Sequence, residues 1–141
     1  IDTAVQNFFM KLRYKNVTVY ASNGKARNNV GSWKVENIHV NNSIKGFDFY
    51  KQKDEAMAKN ADYGFMVWDG KSRGTLNNII NLINDDKKVV VYISPFHKML
   101  VIEKMSQLDN LIEHCPLSTK KTYRTLLSNN DIVNNIQLSL L

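Results

Sequence analysis

The tightest constraint lies in mid-chain, where the nearly continuous apolar run Tyr63-Gly64-Phe65-Met66-Val67-Trp68 meets a short polar loop and then Leu76, Ile79, Ile80 and Ile83 at helical spacing. After Asp85 and Asp86, the basic pair Lys87-Lys88 leads into Val89, Val90, Val91, Tyr92 and Ile93, apolar on both faces. Strands of a parallel sheet covered by helices on both sides have this pattern. A strand, a helix and another buried strand make a right-handed βαβ unit the default topology. The predicted fold class is therefore α/β, a Rossmann-like three-layer arrangement around a parallel sheet.

The flanking segments fit that class. Val5, Phe8, Phe9 and Leu12 predict an amphipathic helix over residues 2–13, with Asp2 or Thr3 as its cap. Val17, Val19 and Ala21 alternate with Thr18, Tyr20 and Ser22 in a strand ending at Asn23-Gly24. Trp33, Val35, Ile38 and Val40 suggest an extended segment without an assigned place in the sheet, and residues 49–60 a weakly amphipathic helix. Pro95 ends the strand begun at Val89, and Leu100 to Ile102 form a short further strand. Leu108, Leu111 and Ile112 predict a helix over residues 106–114, capped by Ser106 and limited by Pro116. The tail carries Leu126, Leu127, Ile132, Val133, Ile136 and Leu138, enough for one or two helices packing on the domain or on a second copy. Residues 1–103 thus read as the α/β domain and 104–141 as a helical C-terminal extension.

Composition narrows the partners. With 43% hydrophobic and 10% aromatic residues the chain can build a core, which argues against disorder. Cys115 is the single cysteine, so no internal disulfide forms and a buried thiol is expected, while no Cys or His cluster has zinc-site spacing. No apolar run approaches the roughly 20 residues of a membrane-spanning helix, and the start lacks a secretion signal, so a cytoplasmic protein without a membrane partner is expected. The chain begins with Ile1, which is not a translation start. A net charge of +6 favours anions: nucleic acid, acidic lipid or a phosphorylated small molecule. Lys11, Arg13, Lys15, Lys51, Lys53, Lys59, Lys87 and Lys88 are scattered as on solvated faces, which weighs against a nucleic-acid patch.

The loop Asp69-Gly70-Lys71-Ser72-Arg73-Gly74-Thr75 is the candidate site. In open parallel sheets, ligands bind beyond the carboxyl ends of the strands. Gly70 and Gly74 allow a sharp turn and close approach, and the next helix offers bare N–H groups and its positive dipole end to a phosphate. Ser72 and Thr75 add hydroxyls, Thr75 also being placed to cap the helix; Lys71 and Arg73 add charge; Asp69, which would repel phosphate, is expected beside a sugar. The competing reading is a plain tight turn, and a Gly-rich turn alone does not decide between them. No Gly-Lys-Ser/Thr of a triphosphatase loop follows.

Other candidates carry less. Asp54 and Glu55, near Asp62, point to different helix faces and read as solvated charges. His39, His97 and His114 lie in separate segments without a nucleophile signature and read as structural or exposed. Trp68 either stacks on a base or fills the core beneath the loop, the core being favoured.

The stretch Ala61-Asp62-Tyr63-Gly64-Phe65-Met66-Val67-Trp68-Asp69-Gly70-Lys71-Ser72-Arg73-Gly74-Thr75 resembles the signature of YspA-like proteins in the SLOG superfamily, with Arg27-Asn28, Lys53-Asp54 and Met57 as weaker landmarks. The resemblance covers roughly residues 1–93. It implies a Rossmann-like fold, incomplete at its N-terminus because the family's first strand and first glycine-rich loop are absent here, and binding of nucleotides or nucleotide-derived ligands, in some members as sensors. It also implies ligand contacts for Arg27 and Tyr50, where the upstream landmarks lie. The hydrolase branch of the superfamily carries a catalytic Glu three residues after the loop Thr; Asn78 stands there and has no basic carboxylate.

Together these readings predict that residues Gly70 to Thr75 hold a phosphate, Asp69 meets the sugar, and Arg27 or Tyr50 closes the other side, with no cofactor. The competing class is an N-glycosidase or deoxyribosyltransferase using Asp69 or Asp54; the third is nucleic-acid binding through the basic surface.

Overall fold

The computed structural model describes residues 2–139, with side chains through residue 130. The side chains of Ile132, Val133, Ile136 and Leu138, invoked for self-association, lie outside the described residues. The chain is α/β and divides between Ala61 and Asp62 into two compact units.

The first unit holds α1 (Asp2–Lys11), β1 (Thr18–Ser22), β2 (Lys34–Ile38) and α2 (Phe47–Asn60). β1 and β2 pair in parallel from Thr18 opposite Lys34 to Ser22 opposite Ile38, which gives the extended segment around Val35 its place. Asn23 fixes the exit of this pair. With φ at 49° it turns the chain after β1, and its amide both donates to the Val40 carbonyl at 2.9 Å and accepts the Val40 N–H at 2.8 Å. Asparagine suits this position because it tolerates left-handed backbone and its amide mimics a peptide group. α1 buries none of its side chains, and Gln6 ties it to the following loop through Asn28 and Val30.

The second unit contains β3 (Tyr63–Trp68), α3 (Arg73–Asn84), β4 (Lys88–Ile93), β5 (Lys98–Ile102), α4 (Met105–Glu113) and α5 (Leu117–Ser139), with a single 3-10 turn over Ser94–Phe96. β3 and β4 are parallel, Gly64 facing Val89 and Trp68 facing Ile93. β5 runs antiparallel to β4, so this sheet is mixed and not wholly parallel as expected. The 3-10 turn is the cause: it begins at β4's end with Pro95, and His97 in left-handed conformation sends the chain straight back. A two- to five-residue reversal joins antiparallel neighbours, whereas a parallel one needs a crossover.

The β3–β4 faces follow the register. Gly64, Trp68, Val89, Val91 and Ile93 are buried on the face that α3 covers with Leu76, Ile79, Ile80 and Ile83. Gly64 suits this position, since a Cβ there would overlap Leu82 Cδ1 and lie 3.1 Å from Val89 Cγ1, so the Leu82 side chain would have to shift. Leu108, Leu111 and Ile112 of α4, with Tyr123 and Leu126 of α5, extend the same core. α4 is capped two residues earlier than expected: Lys104, not Ser106, is its N-cap, and Gln107 Oε1 accepts the Lys104 and Glu103 N–H groups. Among the described residues, no helix is long and apolar enough to cross a membrane.

Candidate functional site

The end of β3 is anchored before the loop begins. Trp68 is completely buried, so it belongs to the core rather than to a stacking surface, and its indole Nε1 donates to the Ser72 carbonyl at 3.1 Å. Ser94 Oγ donates to the Trp68 carbonyl at 3.3 Å and couples the ends of the two parallel strands. The loop therefore leaves the sheet at a fixed point.

Within the loop each residue has a defined part. Gly70 has φ of 75°, in the left-handed region where a side chain is strained, and its Cβ position is otherwise open, so conformation and not space requires glycine. The Gly70 carbonyl accepts from the buried Thr119 hydroxyl of α5 at 2.6 Å. Gly74 lies inside the first turn of α3 with nothing within 4 Å of its Cβ position, so neither crowding nor a left-handed turn demands it. Ser72, not Thr75, is the N-cap of α3: its Oγ accepts the Thr75 N–H at 3.5 Å and the Thr75 hydroxyl at 3.1 Å. The serine caps because the Trp68 indole holds its carbonyl and the Asp69 carboxylate its N–H, so the helix starts at Arg73, three residues before its first apolar residue, Leu76.

Asp69 Oδ1 accepts the N–H groups of Ser72 at 2.7 Å and Lys71 at 2.9 Å, so the carboxylate braces the loop from inside. Those two bonds, Ser72's first, hold the carboxyl below the ordinary aspartate range. A depressed folded pKa contributes stability that is fully present above the unfolded value, about 3.9, and lost as pH falls through the folded one. The melting-temperature gap between wild type and Asp69→Asn is therefore expected to stay constant from neutrality to about pH 4 and to narrow below it. A gap unchanged in still stronger acid would remove the brace from the account.

A cleft of about 540 Å³ opens beside this loop, lined by Asp69, Gly70, Lys71, Pro95, Phe96, His114, Cys115 and Pro116. Three segments build it: the residues following β3, the turn following β4, and the corner between α4 and α5. It thus lies at the carboxyl ends of two adjacent parallel strands, where α/β sheets place their ligands. Of the expected residues, Asp69, Gly70 and Lys71 line it, while Ser72 caps α3 and Arg73, Gly74 and Thr75 form its first turn.

Arg27 and Tyr50 belong to the first unit and engage each other, with Arg27 Cζ 5.8 Å from the Tyr50 ring centroid. Asp54 pairs with its neighbour Lys53. Asn78 has a buried Oδ1 without a protein partner and lies outside the cleft lining.

The α4–α5 corner contributes what sequence reasoning missed. His114, at the C-cap of α4, places Nδ1 2.8 Å from the Asn110 carbonyl. A carbonyl can only accept, so Nδ1 carries the proton and Nε2 of the neutral ring is left as an acceptor. Cys115 points its thiol at the Leu111 carbonyl at 3.6 Å, and burial pushes its pKa up, which makes it a packing thiol rather than a nucleophile. The one legible signal was the cluster His114-Cys115-Pro116 at a helix end. No group of three or more His, Cys, Asp or Glu is gathered for a metal ion among the described residues. No protein-family model, curated protein or solved structure matches the chain.

Proposed function

We propose that this protein binds a nucleotide or nucleotide-derived ligand in the cleft beside the Asp69–Thr75 loop, as a sensor rather than a catalyst, and that it is a Rossmann-like member of the SLOG superfamily. The observation that carries the reading is the cleft's position at the carboxyl ends of β3 and β4, next to the N-terminus of α3. Lys71 supplies positive charge there, the helix end adds its dipole, and Phe96 offers an aromatic face of the kind bases stack on.

The cleft's own chemistry favours binding over turnover. Its one carboxylate, Asp69, is held ionised by two backbone amides, and a carboxylate so stabilised is a weak base. Asn78 adds no carboxylate from α3.

The test is a thermal-shift and calorimetric panel of ribose 5-phosphate, nucleoside mono- and triphosphates and short single-stranded DNA, with base release followed by chromatography. A mononucleotide at a hundred times its Kd is expected to stabilise the fold by about 2.7 kcal/mol without base release. Release of free base would move the assignment to an N-glycosidase. Indifference to every phosphorylated small molecule, with DNA affinity falling steeply in salt, would replace it by nucleic-acid binding.

A further inference from the structure

The geometry points to His114 as the residue that selects the base: Nε2 accepts a hydrogen bond from an exocyclic amino group of a base lying on Phe96, so the cleft prefers amino-bearing bases to their keto counterparts. This rests on the nucleotide reading of the same cleft and assigns the part of it that the glycine loop leaves unassigned.

The argument begins with tautomer. An imidazole with an unconstrained ring can present either a donor or an acceptor from each nitrogen, and so discriminates poorly. His114 is constrained, because Nδ1 lies 2.8 Å from the Asn110 carbonyl one helical turn back, and that oxygen has no proton to give. Nδ1 must therefore donate, and the neutral ring is left with a lone pair at Nε2 and no proton there. Placed opposite the exocyclic position of a base, that lone pair attracts the N–H of an amino group and repels the oxygen of a keto group.

Placement supports the same division of labour. His114 and Phe96 line the cleft together with Pro95 and Pro116, whereas Lys71 lines it from the loop that follows β3. Phe96 is 47% exposed, large and apolar, and sits at the end of a turn braced by Pro95. The apolar surface and the acceptor come from the later part of the chain, and the cation from the β3 end. A ligand with a flat aromatic group and an anionic group matches both.

The experiment measures Kd by calorimetry for two pairs in which a keto group and an adjacent ring N–H replace an exocyclic amino group and a ring acceptor, AMP against IMP and CMP against UMP, with ribose 5-phosphate as the base-free probe. The buffer is held at about pH 8, above the ordinary imidazole range. Wild type is expected to prefer the amino member of each pair about tenfold, the scale of one net hydrogen bond. His114→Ala is expected to abolish that preference while ribose 5-phosphate binds as before. Phe96→Leu is expected to weaken all four nucleotides and leave ribose 5-phosphate unchanged. Equal affinities within each pair for wild type, or a preference that survives His114→Ala, would overturn the inference while leaving nucleotide binding intact. If neither the nucleotides nor ribose 5-phosphate bind, the functional reading itself falls, and this assignment with it. Because His114 is exposed, its alanine variant is checked for an unaltered melting temperature before the ratios are read.

Discussion

Trp68→Ala is expected to lower the unfolding free energy by about 3–5 kcal/mol, the range found when a large buried aromatic is truncated in a packed core. Trp68 has no exposed surface, faces Ile93 across the parallel pair, and ends the strand from which the loop departs. The truncation also takes the indole donor from the Ser72 carbonyl, so the start of α3 loosens along with the core. Against a typical total of about 5–15 kcal/mol, such a loss leaves a marginal protein. Urea titration followed by far-ultraviolet dichroism measures it as a drop in midpoint. Trp68→Phe separates the two contributions, retaining most of the apolar area while losing the N–H, and is expected to fall well short of the alanine variant. A Trp68→Ala loss below about 1 kcal/mol would be incompatible with a core residue.

The second large effect has opposite signs in stability and in binding. Gly74→Asp is expected to raise stability by about 0.5–1 kcal/mol, because it replaces a helical glycine and places a negative charge in the first turn of α3. The structure accommodates it, since nothing lies within 4 Å of the Cβ position and the residue is not in the left-handed region. The same carboxylate stands at the helix end that the proposed phosphate addresses, and like-charge repulsion there is expected to weaken mononucleotide binding about tenfold or more. Gly74→Ala serves as the uncharged control and shares only the gain in stability. Melting curves and calorimetry on the same preparations read both effects. A Gly74→Asp protein that is more stable yet binds mononucleotides with unchanged Kd would place the phosphate away from α3.

The contrast between legible and illegible parts of the chain has a physical basis. The extents of β3, α3 and β4 were legible, because buried strands and a helix with Leu76, Ile79, Ile80 and Ile83 on one side leave strong periodicities, but the covering of both sheet faces was not: Tyr63 and Phe65 are exposed. The pairing of β1 with β2 was not readable. Both strands are short, and Lys34, Val35 and Asn37 are exposed, so hydrophobic patterning did not specify a register. The reversal into β5 escaped for a similar reason, since only Ile102 of that strand is buried. At the site, glycines and charges announced a loop but not its internal wiring. The loop hydroxyl that caps α3 depends on where Trp68 and Asp69 fix the backbone, and Asp69 serves its own loop because two amides lie within its reach. His114 escaped because it meets Asp69 in the lining only after α4 has turned the chain back across the sheet's end.

The bond from Thr119 to the Gly70 carbonyl bears on how an occupant is received. A glycine in mid-loop ordinarily leaves the backbone a wide choice of shapes, and a guest must then select one at an entropic cost. Here a hydroxyl from the opening turn of the last helix clamps the peptide unit, and the carboxylate of Asp69 fastens the two residues beyond it. The loop is thus preorganised for the proposed ligand: the entropy of arranging it is lost during folding and is not charged again on binding.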